Sequence, residues 1–298
     1  MRVDNAVIMA AGTSSRFAPL SHERHKGLTV VRGEVLIERQ IRQLLEAGVP
    51  EVCVVTGYKA DQFEYLRGRF GVRLIHNPDY PTRNNNASIW AARGVLANSY
   101  LCSADNYFLE NPFEAEVDGA YYASEYADGP TSEWCMTEDA EGHIGSVTVG
   151  GRDAWYMMGH AFWDESFTGR FLSILEDEYD LPATAGKLWE SIYMEHLDVL
   201  KMRIRRYAPG VINEFDTLDE LRAFDPSYVD NARSATVRLV AAALGAGEGE
   251  LRGFAPVKGG TEEAVGFRFE CRGETYEYLY DGGRLAAAQD AAAGPDGR

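Results

Sequence analysis

No apolar run in the 298 residues approaches the ~20 needed for a spanning helix, so insertion into a membrane by that route is excluded. Cysteine is scarce. The four present, Cys53, Cys102, Cys135 and Cys271, are far apart and show no CxxC spacing, so neither a disulfide framework nor a zinc ribbon is expected, and they read as reduced core residues. Cations are in short supply too, 29 Lys and Arg against 46 Asp and Glu for a formal charge of −17, which repels nucleic-acid backbones and removes them as partners. The N-terminus lacks the basic flank, long apolar stretch and cleavage site of a signal peptide, and the expected location is cytoplasmic. Neither a Walker loop nor a GxGxxG dinucleotide fingerprint is present.

What is there is the composition of an ordinary soluble protein, 45% hydrophobic and 25% charged, on a chain long enough for one large domain with an appendage or for two domains. The few cations are also uneven: Arg16, Arg24, His25, Lys26 and Arg32 concentrate near the N-terminus. Such a local positive site on a negative protein suits a small anionic ligand.

Val7-Ile8-Met9 runs into Ala10-Ala11-Gly12-Thr13-Ser14-Ser15, and an amphipathic stretch from Val35 to Ala47 stops at Gly48, giving strand, loop and helix. Val52 to Val55 follows as a strand, then a helical pattern from Ala60 to Arg67 stopped by Gly68, then a strand from Val72 to Ile75. A helix from Ala87 to Leu96 leads to the buried strand Tyr100 to Cys102. Strands and helices alternating at this spacing predict right-handed βαβ units and a mostly parallel, Rossmann-like α/β sheet. From Gly119 to Trp163 short strand patterns separated by Gly129-Pro130, Glu141-Gly142 and Gly150-Gly151 predict a β-rich insertion of hairpins. Helices are expected over Glu165 to Tyr179, Ala185 to His196 and Leu218 to Phe224, with a strand from Val199 to Arg205. Pro226 marks the expected boundary, dividing residues 1–225 from a small α+β segment over 226–285 and a disordered tail over 286–298.

A loop of small residues after a strand lets backbone N–H groups approach a polyphosphate, which makes Ala10, Ala11, Gly12, Thr13 and Ser14 the candidate phosphate loop. With Arg16, Pro19-Leu20 and Lys26 beyond it, this opening resembles the sugar-phosphate nucleotidyltransferase superfamily. The resemblance implies that the loop wraps a nucleoside triphosphate, that Arg16 contacts its distal phosphates and that Lys26 neutralises charge at the α-phosphate. Ser14 stands where a second glycine is usual, and His25 and Gly27 where prolines flank the lysine.

Asp105 follows the strand Tyr100 to Cys102, at the carboxyl end of a parallel strand where ligands of open α/β sheets gather. A carboxylate there can hold Mg²⁺, and Ala104-Asp105-Asn106 resembles the superfamily's metal motif, which also places Ala104 beside the nucleotide. The resemblance implies a second metal carboxylate late in the domain, for which Glu214 and Asp216 are both candidates; the other reading of Asp216 is a helix N-cap. Asn84, Asn85 and Ser88 carry amides and a hydroxyl able to read a base edge, or else form a polar helix start.

Further stretches, among them Leu36 to Ile41, Gly57-Tyr58, Gln62 to Leu66, Asn77 to Tyr80, Ala97 to Tyr100, Ser132-Glu133-Trp134 and Phe162-Trp163-Asp164, narrow the resemblance to bacterial CTP:phosphocholine cytidylyltransferases of the LicC type over about residues 6 to 225. It implies CTP and phosphocholine as substrates, CDP-choline and pyrophosphate as products, and in-line attack on the α-phosphorus with no side-chain nucleophile. A quaternary ammonium needs aromatic faces and nearby negative charge, and Glu133, Trp134, Tyr156 and Trp163 are the candidates. An enzyme of the same frame acting on 2-aminoethylphosphonate would want carboxylates around a primary ammonium. A sugar-1-phosphate nucleotidyltransferase and an inactive nucleotide sensor are the remaining readings. Residues 233 to 283 faintly resemble the opening of a choline-kinase-like amino-terminal lobe, without its catalytic loops. A lid or a dimerisation element are further readings, the latter leaving a homo-oligomer open, and the segment is expected to be dispensable for chemistry.

Overall fold

The computed structural model describes residues 1–260 and 262–288. They form two compact units, the larger of Met1–Gly12 and Gly27–Glu214, the smaller of Thr13–Lys26 and the described residues from Phe215 onward. This partition crosses the chain rather than cutting it near residue 225.

The larger unit is built on a seven-stranded sheet ordered 203–206, 121–138, 144–163, 99–103, 5–10, 52–56, 73–76. The strands Asn5–Ala10, Val52–Thr56, Arg73–His76 and Ser99–Ser103 are mutually parallel neighbours; within the sheet Ile144–Trp163 alone runs against its neighbours. Strands in the middle of a parallel sheet are covered on both faces, and Val52–Thr56 is accordingly buried at every residue. On one side the helix Leu36–Glu46 presents Ile37, Ile41 and Leu44 to a core shared with Ile8, Val54 and Tyr100. It ends where Gly48 takes a left-handed φ of 87°, as a C-terminal glycine should.

The expected hairpins are present. Gly129, Gly142 and Gly150 all have φ between 77° and 94°, and the two long strands pair over Tyr121↔Phe162 and again over Glu138↔Ile144. Helix Glu165–Glu178, capped by Asp164, packs Phe167, Phe171 and Leu175 on the insertion. All four cysteines are buried thiols; burial pushes that of Cys53 up to about 11.

Two boundaries differ from expectation for identifiable reasons. Gly68 does not stop its helix, which runs from Tyr65 to Phe70 and ends at Gly71, the residue that adopts the left-handed φ of 71°. Residues 185–188 are not helical, and the helix begins at Trp189. The side chain of Asn86 donates to the carbonyls of Thr184 at 3.0 Å and of Lys187, and the backbone of Asn84 donates to Ala185 O at 2.8 Å, so these carbonyls bond outside a helix.

In the smaller unit a four-stranded antiparallel sheet, Leu251–Lys258, Ala264–Cys271, Glu274–Leu279 and Arg284–Ala287, stacks Phe254, Phe267 and Phe269 with ring centroids 5.6–6.0 Å apart. Its last strand takes in Ala286 and Ala287, which were expected in the tail; the rest of that tail, residues 289–298, lies outside the described residues. The segment Thr13–Lys26 is fastened here through Glu23. Its carboxylate accepts hydrogen bonds from Ser234 Oγ at 2.6 Å, Ala235 N at 3.0 Å and Thr236 N at 2.8 Å, at the start of helix Ala235–Ala243. Burial pushes its pKa up, but these hydrogen bonds together outweigh burial and hold it below the ordinary value. His22 stacks on Tyr280 at 3.6 Å between centroids.

Candidate active site

In the larger unit the first strand ends in buried Ala10 and Ala11, followed by exposed Gly12. Ala11 O accepts from Tyr58 N at 3.0 Å. A Cβ on Gly57 would stand 2.9 Å from that same oxygen and 2.7 Å from the Tyr80 ring, so only glycine lets the neighbouring turn support the loop. Ala104 N donates to Met9 O at 3.1 Å, which brings the turn bearing Asp105 beside the loop. Gly27 packs on this turn so closely that a Cβ would lie 2.9 Å from that of Ala104; a proline, which carries one, does not fit.

The helix Leu36–Glu46 fixes the Asp105 turn with polar side chains. Gln40 Nε2 donates to Ser103 O at 3.1 Å, and Gln43 Nε2 and Arg39 Nε donate to Phe108 O at 3.2 and 3.0 Å. Beyond Asp105, Tyr107 and Phe108 pair antiparallel with Asn213 and Ile212. That register sets Glu214 opposite Asn106, whose Nδ2 reaches Glu214 Oε2 at 3.5 Å. Glu125 holds the second strand in place by accepting from Gly210 N at 3.1 Å and Ile212 N at 2.8 Å. Asn106 is buried and its Oδ1 has no hydrogen-bond partner. The orphaned Asn106 oxygen, with the Glu214 carboxylate beside this residue and Asp105 preceding it, offers hard oxygen donors of the kind that suit a small divalent cation.

Residues 84–88 lead into the helix Asn86–Ala92, as the reading of a polar helix start expects. Asn85 is engaged at both ends: Nδ2 donates to Glu190 Oε2 at 3.1 Å, and Oδ1 accepts from Trp189 N at 2.7 Å. Ser88 Oγ is buried and accepts from Asn77 Nδ2 at 3.3 Å. Asn84 is exposed, with Nδ2 donating to Gly186 O at 3.2 Å.

The four acceptor candidates are placed differently. Tyr156 pairs across strands with Glu125, and burial first, then the charges of Glu125 and Glu133, raise its pKa to about 12. Trp134 is half-buried on a different cluster, with Tyr122, Met136, Trp155 and Trp189. Trp163 must be corrected: it is fully buried, its ring 4.5 Å from Phe171 and 5.1 Å from Trp189. Its strand position opposite Ser99 seals it under helix Glu165–Glu178, so it is a core residue and no wall of a cation cage.

Glu190 and Tyr122 were not anticipated. Glu190 Oε1 accepts from the Tyr122 hydroxyl at 3.2 Å, and the Tyr122 ring stacks on Trp189 at 5.6 Å. Protein crowds the carboxyl on every side although solvent still reaches it. Burial pushes its pKa up to about 7 against the lowering hydrogen bonds of Asn85 and Tyr122. Burial, then the charges of Glu190 and Glu214, push the Tyr122 hydroxyl well above its ordinary value. The sequence signal was a carboxylate beside Trp189, on a helix that buries Trp189, Ile192 and Tyr193.

In the smaller unit the loop continues. Thr13 Oγ1 donates to Glu262 O at 3.3 Å, and Ser14 sits at a left-handed φ of 49° before a short turn over Ser15–Phe17, a conformation that explains the usual glycine there. Lys26 is only 3% exposed, with Nζ 3.2 Å from Asp216 Oδ1, and Arg16 pairs with Asp216 Oδ2. The N-cap alternative for Asp216 is overturned. Thr217 caps the helix Leu218–Phe224, accepting from Glu220 N in a capping box, which leaves the Asp216 carboxylate to the cations.

Residues 6–121 match the family of MobA-like NTP transferase domains. A 2-aminoethylphosphonate cytidylyltransferase from Lancefieldella rimae is 34% identical over 234 residues, 77% of this chain and 95% of the relative. A choline-phosphate cytidylyltransferase from Streptococcus pneumoniae is 29% identical over 220 residues, 74% of this chain and 96% of the relative. The solved structure of CTP:phosphocholine cytidylyltransferase from Streptococcus pneumoniae superposes with a TM-score of 0.72 at 29% identity, covering 76% of this chain and 99% of that one.

Proposed function

We propose, from the premise that this chain belongs to the family of its 2-aminoethylphosphonate and choline-phosphate cytidylyltransferase relatives, that it transfers the cytidylyl group of CTP to a small phosphorylated amino alcohol or aminophosphonate. Phosphocholine is the first reading of that acceptor. The observation that carries the chemistry is the pairing of Tyr107–Phe108 with Ile212–Asn213, which sets Glu214 beside Asn106, the residue that follows Asp105 at the carboxyl end of a parallel strand.

The acceptor's phosphoryl oxygen attacks the α-phosphorus of CTP in line, the bond to the β-phosphate oxygen breaks, and pyrophosphate leaves with CDP-choline as the other product. Arg16 and Lys26 offset charge on the triphosphate, Lys26 with the larger effect because a buried cation is poorly screened. Asp105 and Glu214 would hold Mg²⁺, which when bound neutralises phosphate oxygens. The loop Ala10 to Ser14 and Ala104 offer backbone to the nucleotide, and the 84–88 turn borders the nucleoside with Asn84 as its exposed polar group. No side chain serves as nucleophile; catalysis is positioning and charge stabilisation.

A second reading, 2-aminoethylphosphonate as acceptor, is favoured by Glu190. A carboxylate crowded by protein yet open to solvent, beside Tyr122 and Trp189, can accept hydrogen bonds from a primary ammonium, which aromatic faces alone cannot do. In either reading Glu190 and Trp134 receive the cationic end. Turnover with CTP against UTP and dTTP tests the base: pyrophosphate release should be selective for CTP, and equal rates with dTTP would point to a sugar-1-phosphate enzyme instead.

A further inference from the structure

In the smaller unit one carboxylate holds both cations assigned to the triphosphate. Asp216 gives Oδ1 to Lys26 Nζ at 3.2 Å and Oδ2 to Arg16. Thr217, not Asp216, caps the following helix, and the backbone N–H of Asp216 is bonded to Glu220 Oε2 at 2.6 Å, so the local backbone is secured without its carboxylate. Lys26 is 3% exposed and Asp216 28% exposed. A buried ammonium is costly without a counter-charge, and here the counter-charge comes from the solvent-reached side, the side from which an exchange partner can arrive.

We infer that Asp216 is an exchangeable counter-ion, occupying Lys26 and Arg16 in the nucleotide-free enzyme and releasing them to the triphosphate when its carboxylate is taken up by a divalent cation. This rests on the reading of Lys26 and Arg16 as phosphate-binding groups. An anionic ligand and an anionic side chain compete for the same two cations, so CTP alone must displace Asp216. With a divalent cation the displaced carboxylate gains a new partner, and the cost of displacement falls. Metal and nucleotide then strengthen one another's binding by linkage. A residue acting only as a metal ligand would not oppose CTP in the absence of metal.

The test is calorimetric titration of CTP into wild type and Asp216→Asn, in EDTA and in Mg²⁺, with no acceptor and no turnover. Wild type should bind CTP at least ~10-fold more tightly with Mg²⁺. Asp216→Asn, with one anionic competitor removed from Lys26 and Arg16, should bind CTP in EDTA ~10-fold more tightly than wild type does, and its gain from Mg²⁺ should shrink to within ~3-fold. Asp216→Glu should restore the wild-type pattern, and Asp216→Ala, checked by thermal melting, substitutes if the Asn variant does not fold. Unchanged binding in EDTA with a weakened Mg²⁺ effect overturns the inference in favour of a plain metal ligand. Weaker binding in both buffers overturns it in favour of a structural role. Both results leave the cytidylyltransferase reading standing, whereas failure of wild type to bind CTP in either buffer overturns both.

Discussion

The larger unit is read along the chain and the smaller one is not. In the larger, each strand and helix of the central sheet is a local pattern ending at a local signal, and its candidate site residues Gly12, Asp105 and Glu214 lie just past the ends of strands. The smaller unit joins Thr13–Lys26 to a segment beginning some 190 residues later, through Glu23 with the start of helix Ala235–Ala243 and through Asp216 with Arg16 and Lys26. The segment that looked dispensable therefore fastens Glu23 and His22, in the same short stretch as Arg16 and Lys26, while Asp216, just ahead of it, pairs with those two cations. A sheet edge can be placed from periodicity, but a carboxylate that gathers partners from distant sequence leaves no periodic trace.

Removal of residues 228–298 is the severest test of that contrast. It deprives Glu23 of Ser234, Ala235 and Thr236, and His22 of Tyr280, so pyrophosphate release should be abolished while circular dichroism still reports the α/β unit. Turnover within ~10-fold of wild type would mean that Thr13–Lys26 holds its conformation without the segment. Next in size, Lys26→Ala from the smaller unit and Asp105→Ala from the larger should each lower turnover by at least ~100-fold with the fold retained, as expected for loss of a preorganised electrostatic group. Near-normal turnover in either variant removes that residue, and its unit's share, from the mechanism.

The smallest effect concerns Glu190. Its folded pKa of about 7 lies above the ordinary 4.5 because burial penalises the charged form. The folded protein therefore keeps a proton that the unfolded chain gives up between these values, and stability falls as pH rises through this window. Glu190→Gln should exceed wild type in stability at pH 8 by about 2 kcal/mol, discounted for partial solvent access, with the gap closing toward pH 4 in thermal melts. The same variant should raise KM for an aminated acceptor and leave that for CTP nearly unchanged. A constant stability difference across pH would show that Glu190 titrates alike in the folded and the unfolded chain, with no raised pKa.

Much of the fold was legible because fully buried parallel strands such as Val52–Thr56 declare themselves as apolar runs, and because Gly48, Gly129, Gly142 and Gly150 mark turns that need a positive φ. The Asp105 turn was legible from its place after a strand. The expected helix over residues 185–188 failed because Asn84 and Asn86 bond its carbonyls from another part of the chain. Trp163 failed as a cage wall because the same side chain serves equally well as core, and only its register opposite Ser99 decides which. Glu190 went unnoticed because its neighbours Asn85 and Tyr122 come from separate elements, and its place beside Trp189 on an apolar helix does not name them.

The most direct test of the account is pyrophosphate release from CTP and Mg²⁺ with phosphocholine or 2-aminoethylphosphonate as acceptor, repeated in EDTA. Release should require CTP, a divalent cation and one of these two aminated acceptors, and the acceptor with the higher kcat/KM decides between the two readings of the cationic site. Release that proceeds equally with glucose-1-phosphate, or that persists undiminished in EDTA, would contradict the assignment of this chain as a metal-assisted cytidylyltransferase of phosphorylated amino alcohols or aminophosphonates.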